Sequence, residues 1–525
     1  MLGELRDSLE NLYPDSRVSS EKRRPLRLDV ARGGTAAVHV LLNDLPEGAR
    51  LRVKVCCRGA PVGEVRLFKL HDVPVEVNTG LDAFVEKEGE PNPHVVRRAP
   101  FRTYDAMEPC SSPLKVIGGT MALRVHVSVP PDARPGENPM AIVIACGRDQ
   151  VELPLTVFVH RPVVPPVGPD SLPYTNWFSY EAIGRRHGIE LWSAPYWRML
   201  RRYAELMAHA RQNAFWVPLG CIFTLRDGCP VLDAERLRRI VKVFTDAGLH
   251  WIEGGHFGGR TTSEWKCPTF SVSLTGHVAD SPEGVEAIAS IGRQLMREIE
   301  CEGWRTRWLQ HVADEPIRQN AQSYRIFVGI VRKYMPGIPI LDATMDESLV
   351  GSVDIWCPQV HEVEKHRDHF QRQKALGDRV WFYTCCSPGG PWLNRLLDQE
   401  LLRPALLGWF AALRGLDGFL HWGLNHYRDD QDPFQRSVVP HGGSRCLPAG
   451  DTHLVYPGES GPWSSLRLEA QREGFEDYEL LKRLLEGSPR SAARVIAMAI
   501  RRADDYVKDV GAFRAARRAL LKALS

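Results

Sequence analysis

Two carboxylates stand side by side before a proline in the run Trp308-Leu309-Gln310-His311-Val312-Ala313-Asp314-Glu315-Pro316. Such a pair can divide acid and base work, because like charges in one recess push the two ionisations apart, leaving one group charged and the other holding a proton. Neighbours on a regular strand point to opposite faces, so both reach one recess only where the chain leaves strand geometry. Pro316 supplies a reason for it to leave, since it cannot donate to a ladder and it restricts the residue before it. The competing reading makes Asp314 the cap of a helix that starts near Pro316, with Glu315 complementing its dipole.

Other polar and aromatic groups fall at comparable places. Trp381-Phe382-Tyr383-Thr384 ends one strand-like run, and His421-Trp422-Gly423-Leu424-Asn425-His426-Tyr427 ends another. Gln359 follows a third. Aromatic faces pack on sugar C–H surfaces while amides, hydroxyls and ring nitrogens make directed hydrogen bonds, so His421, Trp422, Asn425, Tyr427 and Gln359 are candidate carbohydrate-binding residues. Each aromatic has a plainer reading as core. His250, Glu253 and His256 suggest a metal, yet H-x-x-E-x-x-H is not H-E-x-x-H, and it spans a strand and a loop rather than one helix face. No metal and no cofactor are expected. Gly254-Gly255 and Gly258-Gly259 lack a phosphate-cradle order and read as flexible loop.

The elements that position these groups show in the apolar periodicity. Over 25–159 apolar residues recur at every second position, as in Leu26, Leu28 and Val30, or Val125, Val127 and Val129, between turn-rich stretches; an N-terminal β-sandwich domain over 1–160 fits this pattern. Four prolines in 161–169 mark an extended linker over 161–170. Beyond it, strand-like runs at 172–178, 214–219, 251–253, 308–312, 339–343, 354–358, 380–384 and 418–422 alternate with helical ones at 196–211, 234–247, 282–300, 321–334 and 401–414. The fold class is therefore α/β, with a (β/α)8-type catalytic barrel over 171–464 favoured over an open doubly wound sheet. Residues 465–525 read as C-terminal helices packing on the barrel, with Glu469, Arg472, Glu476 and Asp477 forming ion pairs on a helix surface or to the barrel.

Bulk composition narrows the function. The 525 residues carry 67 Lys+Arg against 64 Asp+Glu, scattered along the chain, so nothing marks a nucleic-acid partner. No apolar run approaches the ~20 residues a membrane helix needs. The N-terminal run at 1–25 is charged and lacks an export signal, which suggests a cytoplasmic protein. The 12 cysteines are dilute, contain no C-x-x-C pair, and read as reduced, mostly buried thiols.

Taken together, HVADEP at 311–316, WFYTCCSPGGPWLNRLLD at 381–398, GLDGFLHWGLNHY at 415–427, GDTHLVYPG at 450–458 and SLRLEAQREGFEDYELL at 465–481 resemble the catalytic domain of glycoside hydrolase family 123 and its related, largely uncharacterised proteins. The resemblance implies a β-N-acetylgalactosaminidase-like enzyme that uses substrate-assisted, retaining catalysis on an oligosaccharide or glycoconjugate. It implies that Asp314 orients the sugar's 2-acetamido group, that Glu315 is the acid and then the base, and that Tyr383 donates to the acetamido oxygen. Hydrolysis of a glycoside without an acetamido group, or carbohydrate binding without catalysis, are the alternatives.

Overall fold

Alternating apolar residues form strands when each second side chain finds a core, and the N-terminal part of the chain does this twice. One sheet has seven strands in the order Leu2–Asp7, Thr35–Asn43, Met121–Ser128, Glu64–Val75, Phe101–Cys110, Pro462–Ser465, Tyr456–Pro457. The other has five: Leu26–Arg32, Asp149–Val163, Gly136–Cys146, Arg50–Cys57 and Leu114–Lys115. Leu28, Val30, Leu51, Val125 and Val127 from both sheets share one hydrophobic cluster, with Leu26, Val53 and Val55 packed at its margin. The computed structural model describes residues 1–20, 26–59 and 61–525, so the part of the charged N-terminal run at 21–25, including the start of the alternating region at Pro25, lies outside the described residues.

The chain forms two compact units, one made of 1–166, 386–415 and 425–525, the other of 167–385 and 416–424. Residues 465–525, expected to pack on the strand–helix repeat, belong instead with the N-terminal sheets, as do 386–415 and 425–464 from within the expected barrel range. Side chains give the reason. Arg514 of the last helix, Val510–Ala523, reaches Asp7 at 2.7 Å, Arg517 donates to the Asp29 carbonyl at 2.7 Å, and Arg518 pairs with the Asp29 carboxylate at 2.7 Å. Glu469, Arg472, Glu476 and Asp477 of helix Leu466–Gly487 are buried rather than on a surface: Arg472 is held by Glu469 and Glu476, and Asp477 by Arg517. Where this helix crosses Leu402–Arg414, a Cβ on Gly408 would lie 2.0 Å from the Gly474 carbonyl oxygen, so only glycine permits the approach.

In the second unit each of the eight expected runs contains a strand: Tyr174–Asn176, Ala214–Val217, Trp251–Gly254, Trp308–Gln310, Leu341–Asp342, Ile355–Trp356, Arg379–Tyr383 and Gly418–His421. All their pairings are parallel, in a three-stranded group (second to fourth) and a five-stranded group (fifth to eighth, then first). A single parallel bridge between Gln310 and Ile340 joins the groups on one side. On the other, the Asn213 amide donates to the Tyr174 carbonyl at 3.2 Å. Helices Ala194–His209, Ala234–Asp246, Pro282–Cys301 and Ala321–Tyr334 lie between the strands. The first three carry a serine or aspartate at the N-cap that accepts a backbone N–H. All twelve cysteines are free, but only Cys146, Cys221, Cys267 and Cys357 are buried, fewer than expected because most others sit near strand or loop edges. Among the described residues no helix is long and apolar enough to cross a membrane.

The first unit depends heavily on one buried guanidinium. Arg467 donates to Asp105 through Nε and Nη2, at 3.0 and 2.9 Å, and to the carbonyls of Arg395, Gly450 and His453. Tyr456 donates to the same carboxylate at 2.7 Å. Substituting Asp105→Ala strands a buried cation, and we expect a loss of about 3–5 kcal/mol in unfolding free energy by urea titration.

Candidate active site

The fourth strand, Trp308–Gln310, ends where the acid pair begins, and three sets of contacts bend the chain there. The Asp342 carboxylate accepts the amides of Val312, at 3.2 and 3.1 Å, and Ala313, at 3.4 Å. Arg260 donates to the Asp314 carbonyl at 3.1 Å and to the Glu315 carbonyl at 2.8 Å. Thr344 donates to the Pro316 carbonyl at 3.0 Å. Between these anchors Glu315 has φ +46°, a left-handed conformation that a bulky residue rarely adopts. The departure from strand geometry expected from Pro316 is therefore concentrated in the residue before it. The helix-cap reading fails: the following 3₁₀ turn is Arg318–Asn320, with Ile317 at its N-cap position and the Ile317 amide donating to Asn320.

Arg260 is itself fixed. It lies in the hairpin Gly258–Arg260 with Phe270–Val272, its guanidinium 4.2 Å from the centre of the Trp265 ring and its Nε donating to the Trp265 carbonyl at 2.8 Å. The glycines here are not flexible loop. A Cβ on Gly258 would stand 2.1 Å from the Ser271 carbonyl oxygen and 2.6 Å from the Phe327 ring, so the residue is glycine because the hairpin packs closely.

Tyr383, the last residue of the seventh strand, donates its hydroxyl to Glu315 Oε1. Asp314 is exposed and Glu315 half-buried, yet burial is the largest influence on both carboxyls, a combination that a recess produces. Burial, with the charges of Glu315 and Asp342, lifts Asp314 to about 7, against the opposing pull of His311 and Arg260. Burial raises Glu315 as well, but the Tyr383 hydroxyl and Arg260 restrain it. Both carboxyls are thus pushed up in the free protein, while the Tyr383 hydroxyl favours the ionised form of Glu315.

Behind the pair lies a set that the sequence reading did not assemble. His311 is fully buried, with Nε2 2.8 Å from Glu253 Oε1 and Nδ1 3.0 Å from Asp342 Oδ1. Burial pushes its pKa down, but the two carboxylates outweigh this and raise it to about 9, so it is an imidazolium donating from both nitrogens at neutral pH. Trp177 Nε1 donates to the same Glu253 oxygen at 2.8 Å, and Tyr324 donates to Asp342. The rings of Trp177 and Trp216 stack at 4.6 Å, each edge-on to His311 at 5.4 Å, and His256 joins them 5.0 Å from His311. Burial and the His311 charge hold His256 well below the ordinary range, and its buried Nε2 has no hydrogen-bond partner among the described residues.

Ligand atoms of His256, His311 and Asp342 lie within 4.8 Å of one another. An imidazolium whose two N–H groups face carboxylates has no lone pair to offer, so this donor set does not suit a cation. His250 stands apart from the cluster, with its ring edge-on to Trp251. A signal for the set was present: Glu253, His311 and Asp342 are ionisable residues within or just past three otherwise apolar strand runs, where a buried charge demands a partner.

Of the remaining candidates, Gln359 forms a parallel bridge with Tyr383 and lies close to Cys385 Sγ, at 4.0 Å. His421 is buried, its Nδ1 accepting the Gly423 amide at 2.9 Å, and the half-buried Trp422 follows it. Asn425 and Tyr427 fall in the other compact unit. There Asn425 bridges to His453, and the buried Tyr427 donates to the Val455 carbonyl, a core role.

Residues 250–484 match the family model described as glycoside hydrolase 123, catalytic domain. Among solved structures the chain is similar to a family 123 glycoside hydrolase from Clostridium perfringens, described for glycolipid glycan hydrolysis. The TM-score is 0.73 at 12% identity, over 99% of this chain and 97% of that one. An endo-β-1,4-mannanase from Thermotoga petrophila matches with TM-score 0.37 at 11% identity, over 59% of this chain and 78% of its own. A β-glucuronidase from Parabacteroides merdae matches with TM-score 0.32 at 8% identity, over 85% and 50%. No curated protein matches the sequence.

The raised Asp314 pKa has a consequence for stability. A carboxyl that titrates near 7 when folded and about 3.9 when unfolded contributes stability that is complete below pH ~3.9 and lost as the pH rises through 7. Asparagine cannot ionise. Asp314→Asn is expected to melt at a higher temperature than the native protein at pH 8, with the difference shrinking towards pH 4, as followed by calorimetry.

Proposed function

Given that the chain is a glycoside hydrolase with a family 123 catalytic domain over residues 250–484, we propose that it removes a terminal β-linked N-acetylhexosamine, with N-acetylgalactosamine favoured, by substrate-assisted retaining catalysis. The observation that supports this reading is the turn at Glu315, in which the second of two adjacent carboxylates accepts the Tyr383 hydroxyl. The glycolipid glycans named for the Clostridium perfringens enzyme indicate the kind of substrate. We also read the eight parallel strands as a closed (β/α)8 barrel and the two N-terminal sheets as a β-sandwich; the bridge at Gln310 and the shared hydrophobic cluster support this.

The sugar itself completes the division of labour. An acetamido N–H donating to Asp314 favours its charged form, and the resulting repulsion transfers the acid role to Glu315. Once protonated, Glu315 no longer needs the Tyr383 hydroxyl, which turns to donate to the acetamido oxygen. That oxygen attacks the anomeric carbon as the glycosidic bond breaks, and Glu315 passes its proton to the leaving oxygen. Asp314 stabilises the cationic oxazolinium. Water then attacks the anomeric carbon, giving its proton to Glu315 and restoring the acetamido group. No protein nucleophile takes part, so the distance between the carboxyl groups carries no stereochemical information. Gln359 and Trp422 are the proposed sugar-contacting residues of this unit, and His421 shapes the turn that presents Trp422.

The test compares chromogenic β-N-acetylgalactosaminide, β-N-acetylglucosaminide and β-galactoside. Only the acetamido sugars should be cleaved. Glu315→Gln and Asp314→Asn should each reduce kcat/KM by roughly 100-fold or more. Comparable cleavage of the plain galactoside would rule out the assisted mechanism, and unchanged turnover in Glu315→Gln would rule out the acid.

A further inference from the structure

We propose that His311, gripped between Glu253 and Asp342, is a positioning residue that sets the ionisation of the Asp314–Glu315 pair from beneath the recess. This rests on the reading of that pair as the catalytic acids.

The geometry supplies two connections. The first is covalent: His311 lies three residues before Asp314, and the Asp342 carboxylate that holds its Nδ1 also accepts the amides of Val312 and Ala313. One carboxylate therefore fixes the imidazole and the backbone that presents Asp314. The second is electrostatic. The His311 charge favours the Asp314 anion and the Asp342 charge opposes it, across an interior where Glu253, His311 and Asp342 are all fully buried and solvent screens little.

The other groups around these three do not take over the task. Two residues past the end of the third strand, His256 faces His311 but is held neutral by burial and by the His311 charge itself. From the helix Ala321–Tyr334, Tyr324 donates to Asp342 while burial keeps its phenol un-ionised. Arg260 acts on both acids from the hairpin side and binds their carbonyls. Tyr383 reaches Glu315 from the seventh strand and remains a phenol. Cys357, next to the sixth strand, is also kept protonated by burial. Among these groups, His311 is the cation on the Asp342 side of the pair, and both its nitrogens are committed to carboxylates.

A residue that only supports the fold would, when replaced, lower stability or total activity without moving the acid pair's titration in a set direction. Here two substitutions at opposite ends of one hydrogen bond must move it in opposite directions. His311→Gln removes a positive charge, so ionisation of the pair shifts to higher pH by about 1 unit or more. Asp342→Asn removes a negative charge and shifts it to lower pH. His311→Lys, which restores a cation, should return it towards the native position.

The measurement is infrared difference titration of the carboxyl bands on the full-length protein, with the site's component identified as the one lost in Asp314→Asn. Circular dichroism verifies that each variant is folded. The pH profile of kcat/KM on the N-acetylhexosaminide that the native enzyme cleaves should follow the same shifts, mainly through kcat. Opposite shifts support the proposal. Shifts in the same direction, or none, overturn it. If His311→Gln does not fold, Asp342→Asn decides alone, a downward shift supporting the proposal and any other result overturning it. Because the infrared titration needs no turnover, a native enzyme inactive on acetamido sugars would defeat the catalytic reading and leave this result separately readable.

Discussion

Adjacent side chains on an extended strand leave on opposite faces, so Asp314 and Glu315 can share a recess only because Glu315 adopts a positive φ immediately before a proline. That conformation carries a local cost of order 1–3 kcal/mol and persists only where its surroundings over-determine it. They do so from both ends. Asp342 grips the amides entering the turn, and Arg260 grips the carbonyls within it. The hairpin that carries Arg260, its tryptophan brace and the close approach at Gly258 all serve this anchorage.

Once the turn is made, electrostatics follows from enclosure. Two carboxyls brought together and partly withdrawn from water cannot both ionise readily, and both are raised. Which of them holds the proton is decided by neighbours: Tyr383 favours charge on Glu315, while the opposed charges of His311 and Asp342 contend over Asp314. Buried charges of both signs therefore act on the pair at once.

Much of this organisation was legible in the sequence. The eight strand runs and the alternation of the N-terminal sheets rest on local patterns that periodicity reports directly, and a strand-ending proline reports the turn at Glu315. What was missed is non-local. Glu253 and Asp342 stand on the third and fifth strands and His311 just past the fourth, and no spacing predicts that one imidazole will meet both carboxylates. The H-x-x-E-x-x-H pattern drew attention to Glu253 and His256 for the wrong partner. Asn425 and Tyr427 continue the eighth strand run, and the boundary between the two compact units falls between Leu424 and Asn425. The C-terminal helices were assigned to the nearer element in sequence, whereas Arg514, Arg517 and Arg518 find their carboxylates and carbonyls more than 480 residues earlier.

The same physical device therefore serves two ends. In the first unit, Arg467 with Asp105 and Arg472 with Glu469 and Glu476 pair buried charges of opposite sign. In the second unit the buried charges are deliberately out of balance: two carboxylates meet one imidazolium, and a second carboxyl pair stands above them. A fully matched set would be more stable, but its protons would not move. Because the surplus negative charge lies at the end of the fourth strand, where the left-handed Glu315 also lies, strain and electrostatic tension are concentrated at one place.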